Sequence, residues 1–348
     1  MATEDQIEAP TVATLAGSQL EAFKTLLKNC QHRGLTQRQQ EQPPGDVCDG
    51  INDDATLMRF LQGRNFDPEG ALVQFEEAMA IRKENQVIEA YDTISVEDFE
   101  QARKIVGLPI STYPHWSGCR DKLGLPICMF DITLLDSKTI AKYNSSHSVA
   151  NRTQHAVVFH DYLTRFVIPL CVAMPDCKVQ SPSVTSAVYL ANASSMGIKQ
   201  AWSLRGYAQA ISHLLAVCFP EVVACCYVLN APVYFETIWG LLSKFVDPRT
   251  ASKLVIVPSG STLSTLTARM SVESIPTEYG GKFEYQPGMP PRLDQDILEH
   301  FEWAFPGGRL PEGPIKWAGS QDEGRVLLTT GSVDGKGRNE VLTSTKKV

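Results

Sequence analysis

At 348 residues, with 43% apolar and 20% charged side chains, the chain has enough apolar material for a sizeable core, which excludes wholesale disorder. Its 39 acidic residues outnumber 32 basic ones, for a formal charge of −7, which disfavours nucleic-acid binding and steady electrostatic attachment to an anionic bilayer. Residues 1–17 lack the basic start and apolar run of a signal peptide, and nine cysteines, several in apolar runs, suit reduced thiols in a cytoplasmic protein.

Residues 1–50 read as an N-terminal arm rich in Gln and Glu, with one amphipathic stretch over 20–27 and a loop over 37–45. A helical pair follows. Asp53 or Asp54 caps a helix with Leu57, Phe60 and Leu61 on one face. Asp67 and Pro68 then open a second helix presenting Leu72, Phe75 and Met79. Beyond Val87 a mixed region leads into alternating strands and helices: a turn over 121–124, strands over 125–132, 184–190, 222–229 and 253–257, and helices over 147–167, 200–218 and 234–245. The helix over 147–167 is expected to stop at Pro169. This alternation predicts an α/β fold with a largely parallel sheet joined by helical crossovers. The most apolar region, about 214–235, is broken by Pro220, Glu221, Asn230 and Pro232 and cannot span a bilayer as one helix. One further helix is expected over 294–304, and the Gly/Ser/Thr-rich segment from about Ala318 reads as a flexible tail.

Motifs of catalysis are missing. No GxxxxGK[ST], GxGxxG or GxSxG falls between a strand and a helix. His155 and His160 are five apart, which rotates them apart on a helix, and Cys225 and Cys226 are adjacent on a strand and face opposite ways. Neither pair chelates a metal, so neither an enzyme nor a cofactor is expected.

Three ordered motifs carry a resemblance. Residues 53–68, DDATLMRFLQGRNFDP, precede a second helix that ends in Arg82-Lys83-Glu84. Further on come Phe219-Pro220-Glu221, Leu229-Asn230-Ala231-Pro232, Phe235, Trp239 and Asp247-Pro248-Arg249-Thr250-Ala251-Ser252-Lys253. The third is Ile275-Pro276-Thr277-Glu278-Tyr279-Gly280-Gly281-Lys282. In order and spacing the stretch from Asp53 to Phe283 resembles the CRAL-TRIO family, in particular the yeast-type phosphatidylinositol/phosphatidylcholine transfer proteins. The resemblance implies an N-terminal helical bracket and a mixed, largely parallel sheet flooring a hydrophobic lipid pocket gated by a helix. It divides the chain into an arm (1–50), a helical region (51–90), a lipid-binding domain (91–285) and a C-terminal extension with a flexible tail (286–348).

The gate would be the helix over 234–246, where Phe235, Ile238, Trp239, Leu242 and Phe245 form an apolar stripe. By its periodicity alone the stripe reads as an ordinary core helix; its position in the resemblance is what makes it a gate. The resemblance assigns the phosphatidylinositol headgroup to Arg64, Glu221, Asp247, Thr250 and Lys253. Arg64 would grip phosphate in a two-pronged way, Lys253 would add a positive charge, and Glu221 would accept inositol hydroxyls. Thr250 would sit at a helix start suited to anions, and Asp247 before Pro248 is equally an N-cap. Without the family, Arg64 is a helix-end arginine and Lys253 a strand-edge charge. Asn65 stands where a second basic residue is usual. For the second lipid the corresponding positions are Thr185, Ser186 and Tyr189, with His160 in place of a family tyrosine.

The expected activity is therefore that of a lipid transfer protein, not an enzyme, exchanging phosphatidylinositol and a second lipid such as phosphatidylcholine between membranes. The bound phospholipid would be cargo and no cofactor or metal is needed. The chain is expected to be a cytoplasmic monomer that meets Golgi, endosomal or other membranes transiently and presents its lipid to phosphoinositide kinases, with no nucleic-acid partner. Two alternatives stay open: carriage of a sterol or tocopherol-like ligand, and a regulatory module that senses lipid.

Overall fold

The computed structural model describes residues 15–36, 49–103, 113–146, 149–175, 177, 186–305, 309–320 and 324–345. Helix α1 (Gly17–His32) turns Phe23, Leu26 and Cys30 inward, at spacings of three and four. Asp53 caps α2 (Asp54–Gly63) by accepting from the Thr56 N–H, and Asp67 with Pro68 starts α3 (Pro68–Glu84), as their side-chain chemistry dictates. Phe60 and Phe75 lock the pair edge to face, with ring centres 5.0 Å apart. The short helices α4 (Val87–Thr93) and α5 (Val96–Arg103) extend this bracket.

Strands β1 (His115–Arg120) and β2 (Pro126–Asp131) form an antiparallel pair. Asp121 closes the turn between them, its Oδ1 accepting from the N–H groups of Leu123 and Leu125. Three helical segments follow: α6 (Ser137–Ser146), α7 (Val149–Tyr162) and α8 (Ile168–Val172). The expected stop at Pro169 does not occur. A π-helical turn over Leu163–Val167 inserts slack ahead of the proline, which then sits in the first turn of α8, where no intrahelical N–H is required. The predicted start of this helix, at 147, lies outside the described residues.

The remainder of the domain alternates strongly. Strand β3 (Ala187–Asn192) is followed by α9 (Ile198–Cys218), β4 (Val223–Ala231), α10 (Phe235–Leu242) and α11 (Pro248–Ser252). Then come β5 (Leu254–Pro258), α12 (Thr262–Arg269) and α13 (Gln295–His300). The sheet order is β1-β2-β3-β4-β5, with β2 to β5 parallel and β1 antiparallel at one edge. Helical crossovers over the parallel strands fix this topology. Two glycines are obligatory. Gly118 has φ +97° where residues 292–294 cross β1, and a Cβ there would lie 2.1 Å from the Arg292 carbonyl oxygen. Gly281 packs so closely that a Cβ would lie 2.0 Å from the Ile275 carbonyl oxygen, which explains the second glycine of its motif.

The flexible tail expected from Ala318 is corrected. Strands β6 (Ile315–Ser320), β7 (Gly324–Thr329) and β10 (Val341–Ser344) form a three-stranded sheet, and β8 (Ser332–Val333) pairs with β9 (Lys336–Gly337). Trp317 and Leu327 are buried. The sheet is fastened to the helices: the Tyr91 hydroxyl donates to the Ile315 carbonyl at 2.6 Å, and Lys316 pairs with Asp92 at 2.6 Å. Composition pointed to disorder because the strands are short and glycine marks their ends, but tertiary burial outweighs propensity.

A buried ion pair joins bracket and domain. Arg82, on α3, donates twice to Asp161, on α7, at 2.7 Å each, with both side chains buried. The same guanidinium lies 5.3 Å from the centre of the Phe219 ring. Removing one partner strands a charge in the interior, so Asp161→Ala is expected to lower unfolding free energy in urea by about 3–5 kcal/mol. Adding Arg82→Met to it should recover part of that loss. An Asp161→Ala chain as stable as the parent would show that the pair contributes nothing.

Candidate functional site

Between the sheet and α9 lies a cavity of ≈ 780 Å³. Ala191, Cys226, Val228 and Leu254 floor it, Leu204, Ala208, Ile211 and Leu215 form the α9 wall, and Phe235, Trp239 and Leu242 cover it from α10. This volume falls in the upper part of the usual range for ligand pockets, and an apolar lining with a few convergent polar groups is their common chemistry. Within the predicted gate stripe, Phe235, Trp239 and Leu242 face the cavity. Ile238 is fully buried and packs elsewhere in the α9–α10 cluster, and Phe245 belongs to a 3₁₀ turn after α10.

All five predicted headgroup residues, Arg64, Glu221, Asp247, Thr250 and Lys253, line this cavity. Glu221 sits in the turn that leads from α9 into β4, with φ +58°. A left-handed backbone at a non-glycine residue is strained, and such strain persists where surrounding structure enforces it. Its carboxylate accepts from Lys253 Nζ at 2.6 Å and from Arg249 Nη1 at 3.1 Å. Burial works against ionisation, but the two cations outweigh it and hold this carboxyl below the usual range.

Arg64 is the C-cap of α2. Its Nε donates to Gln74 Oε1 at 2.7 Å, while Gln74 Nε2 donates to the Ala216 carbonyl at 2.8 Å near the C-terminal end of α9. One buried glutamine thereby satisfies an otherwise unpaired helix-end carbonyl and sets the reach of the arginine. Asp247 keeps its capping role, its Oδ1 accepting from the N–H groups of Arg249 and Thr250 at 3.0 and 3.1 Å. The helix start assigned to anions is thus already occupied by Asp247, and Thr250 is left to act through its side chain.

Sequence reasoning missed Arg249 and Gln74. Arg249 was legible in part, because it stands four residues before Lys253 and shares its helix face. Gln74 carried no signal, since the carbonyl that anchors it belongs to Ala216, more than a hundred residues away.

Of the residues assigned to a second lipid, the three that are described do not line this cavity. Thr185 lies outside the described residues, and Ser186 does not line the cavity. His160 and Tyr189 line a separate void of ≈ 20 Å³. His160 lies behind the cavity wall, its ring 5.6 Å from Phe219 and 5.4 Å from Tyr113, both of which line the main cavity. Its Nδ1–H donates to the Ala156 carbonyl at 2.6 Å. Burial pushes the imidazole down to about 4, against the opposing pull of that hydrogen bond and of Asp161. An unfolded chain takes up this proton near pH 6.5 and the folded one does not, so stability is lost as pH falls from 6.5 towards 4. Between pH 7.5 and 5 this group should cost about 2 kcal/mol. Urea unfolding of His160→Phe at both pH values should show that difference reduced; an unchanged pH dependence would relocate the titration to another group.

The architecture and cavity define an α/β protein with a largely apolar pocket between a mostly parallel sheet and its helices. Residues 112–281 match the model of the CRAL/TRIO domain, and over most of its length the chain is similar to curated SEC14 cytosolic factors. The SEC14 cytosolic factor of Eremothecium gossypii is 28% identical over 274 residues, covering 79% of this chain and 80% of that protein. The SEC14 cytosolic factor of Candida glabrata is 28% identical over 263 residues, covering 75% and 82%. The phosphatidylinositol/phosphatidylcholine transfer protein SFH11 of Arabidopsis thaliana is 25% identical over 239 residues, covering 68% and 59%. The crystal structure of Sfh5 shares the fold, with a TM-score of 0.51 at 13% identity over 81% of this chain and 95% of that one. Among the described residues no helix is long and apolar enough to cross a membrane.

Proposed function

We propose that this protein carries phosphatidylinositol, its acyl chains in the ≈ 780 Å³ cavity and its phosphate against Arg64 and Lys253. The observation that carries this reading is that Arg64 and Lys253, nearly two hundred residues apart in sequence, both line one largely apolar cavity. Glu221 accepts inositol hydroxyls, which offset the hydrogen bonds it yields when phosphate takes its cations. Names given to similar proteins, a phosphatidylinositol/phosphatidylcholine transfer protein and cytosolic factors, support exchange with a second lipid such as phosphatidylcholine. In this reading the chain works as a cytoplasmic monomer, without catalysis, and hands its cargo to phosphoinositide kinases during brief visits to membranes.

Energetics set the mechanism. Each methylene that leaves a bilayer forgoes about 0.8 kcal/mol, and roughly thirty of them require ~20 kcal/mol of compensating enclosure. A surface groove cannot supply that, whereas a cavity with apolar floor, wall and cover can. Opening must then displace the cover, α10, and bring its aromatic face to the bilayer.

Two measurements test this. The double variant Arg64→Ala/Lys253→Ala is expected to lower phosphatidylinositol transfer between vesicles by on the order of a hundredfold or more, with the circular dichroism of the parent. Transfer at the parent rate would remove the headgroup assignment. Trp239→Asp puts a charge on the apolar cover, which must be desolvated at closure, and should slow exchange of every cargo by roughly tenfold or more. Unchanged exchange would take α10 out of the mechanism.

A further inference from the structure

We infer that Arg249 is a third phosphate-binding cation of this site, beside Arg64 and Lys253, standing in for the base that position 65 lacks; the inference rests on the phosphatidylinositol reading above. The backbone explains why position 65 is neutral. Asn65 has φ +54°. Its N–H bonds the Gln62 carbonyl and the Phe66 N–H bonds the Leu61 carbonyl, the paired closure that ends a helix with a left-handed residue. Asparagine tolerates that conformation better than most side chains.

The side chain of Asn65 then acts on Arg249. Its Oδ1 accepts from Arg249 Nη2 at 2.9 Å, and the Gln62 carbonyl accepts from Nη1 at 3.2 Å. Both partners are uncharged, so they hold the guanidinium in place without neutralising it. The anionic partner is Glu221, which Arg249 shares with Lys253. One carboxylate thus faces two cations, both of which line the cavity. At 44% side-chain exposure Arg249 remains open to an incoming group, whereas Lys253, at 24%, lies deeper.

This arrangement permits an exchange. A phosphate oxygen replaces Glu221 on Nη1 of Arg249 while Nη2 stays on Asn65, and the released carboxylate lone pairs accept hydroxyls from the same headgroup. A headgroup that carries phosphate but no hydroxyl leaves Glu221 without replacement donors. Arg249 therefore favours polyhydroxylated phosphodiester headgroups over choline.

The test is transfer of radiolabelled phosphatidylinositol between phosphatidylcholine vesicles. Arg249→Gln should reduce it by about ten- to hundredfold. Arg249→Lys should retain more transfer than Arg249→Gln, and Asn65→Lys added to Arg249→Gln should recover most of the loss by returning a base to position 65. If Arg249→Gln transfers like the parent while Arg64→Ala/Lys253→Ala does not, Arg249 is no ligand and the broader reading stands. Equal losses in Arg249→Gln and Arg249→Lys, or no recovery in the Asn65→Lys pair, would make its role structural and overturn the inference. If the parent chain moves no phosphatidylinositol, both readings fall together.

Discussion

The constraint on which this structure depends is the free energy of an unfilled interior. If closed and dry, an apolar space of ≈ 780 Å³ would cost on the order of 20 kcal/mol at about 24 cal/mol per Å³. That exceeds the net stability of an ordinary domain, roughly 5–15 kcal/mol. The sheet and α9 cannot sustain such a space as vacuum, and water gains little from walls built of Leu, Ile, Val and Phe. In the proposed reading cargo is therefore part of the folded state's energetics, and the position of α10 decides whether that cargo is enclosed.

Rigidity comes from the frame around the cavity. Arg82 and Asp161 tie α3 to α7, and Gln74 ties α3 to the end of α9, so the bracket is fastened on two sides of the Phe219–Glu221 turn. The C-terminal strands clamp the far side of the bracket through Tyr91 and Asp92. These contacts leave α10 and α11 as the less buried part of the domain, with Val233 and Tyr234 exposed at the entry to α10. A fixed frame with a lightly packed cover is what the proposed loading and unloading would require.

Much of this was legible in the residues. Asp53 and Asp67 behave as the caps their chemistry announces, and the alternation of apolar runs gave the parallel strands and their crossovers. That Arg64 and Lys253 share one cavity was legible only through motif resemblance, because nothing local in residues 53–68 points to residue 253. Other features are tertiary in origin. The slack that lets the helix run past Pro169 is a π turn with no sequence marker, and the C-terminal strands are stabilised by burial that their Gly/Ser/Thr composition conceals. His160 and Tyr189 were placed by analogy with a pocket lining, yet both line a separate small void, and His160 packs against the Tyr113 and Phe219 rings that line the cavity. Asn65 looked like a lost charge; its backbone conformation and its bond to Arg249 show a position with another task.

Native mass spectrometry of the full chain, purified without detergent, tests the central claim most directly. One diacyl phospholipid per chain is expected, with inositol phospholipid among the bound species after incubation with mixed vesicles. A chain that remains unliganded after that incubation, or that carries only a sterol-sized mass, would contradict the account.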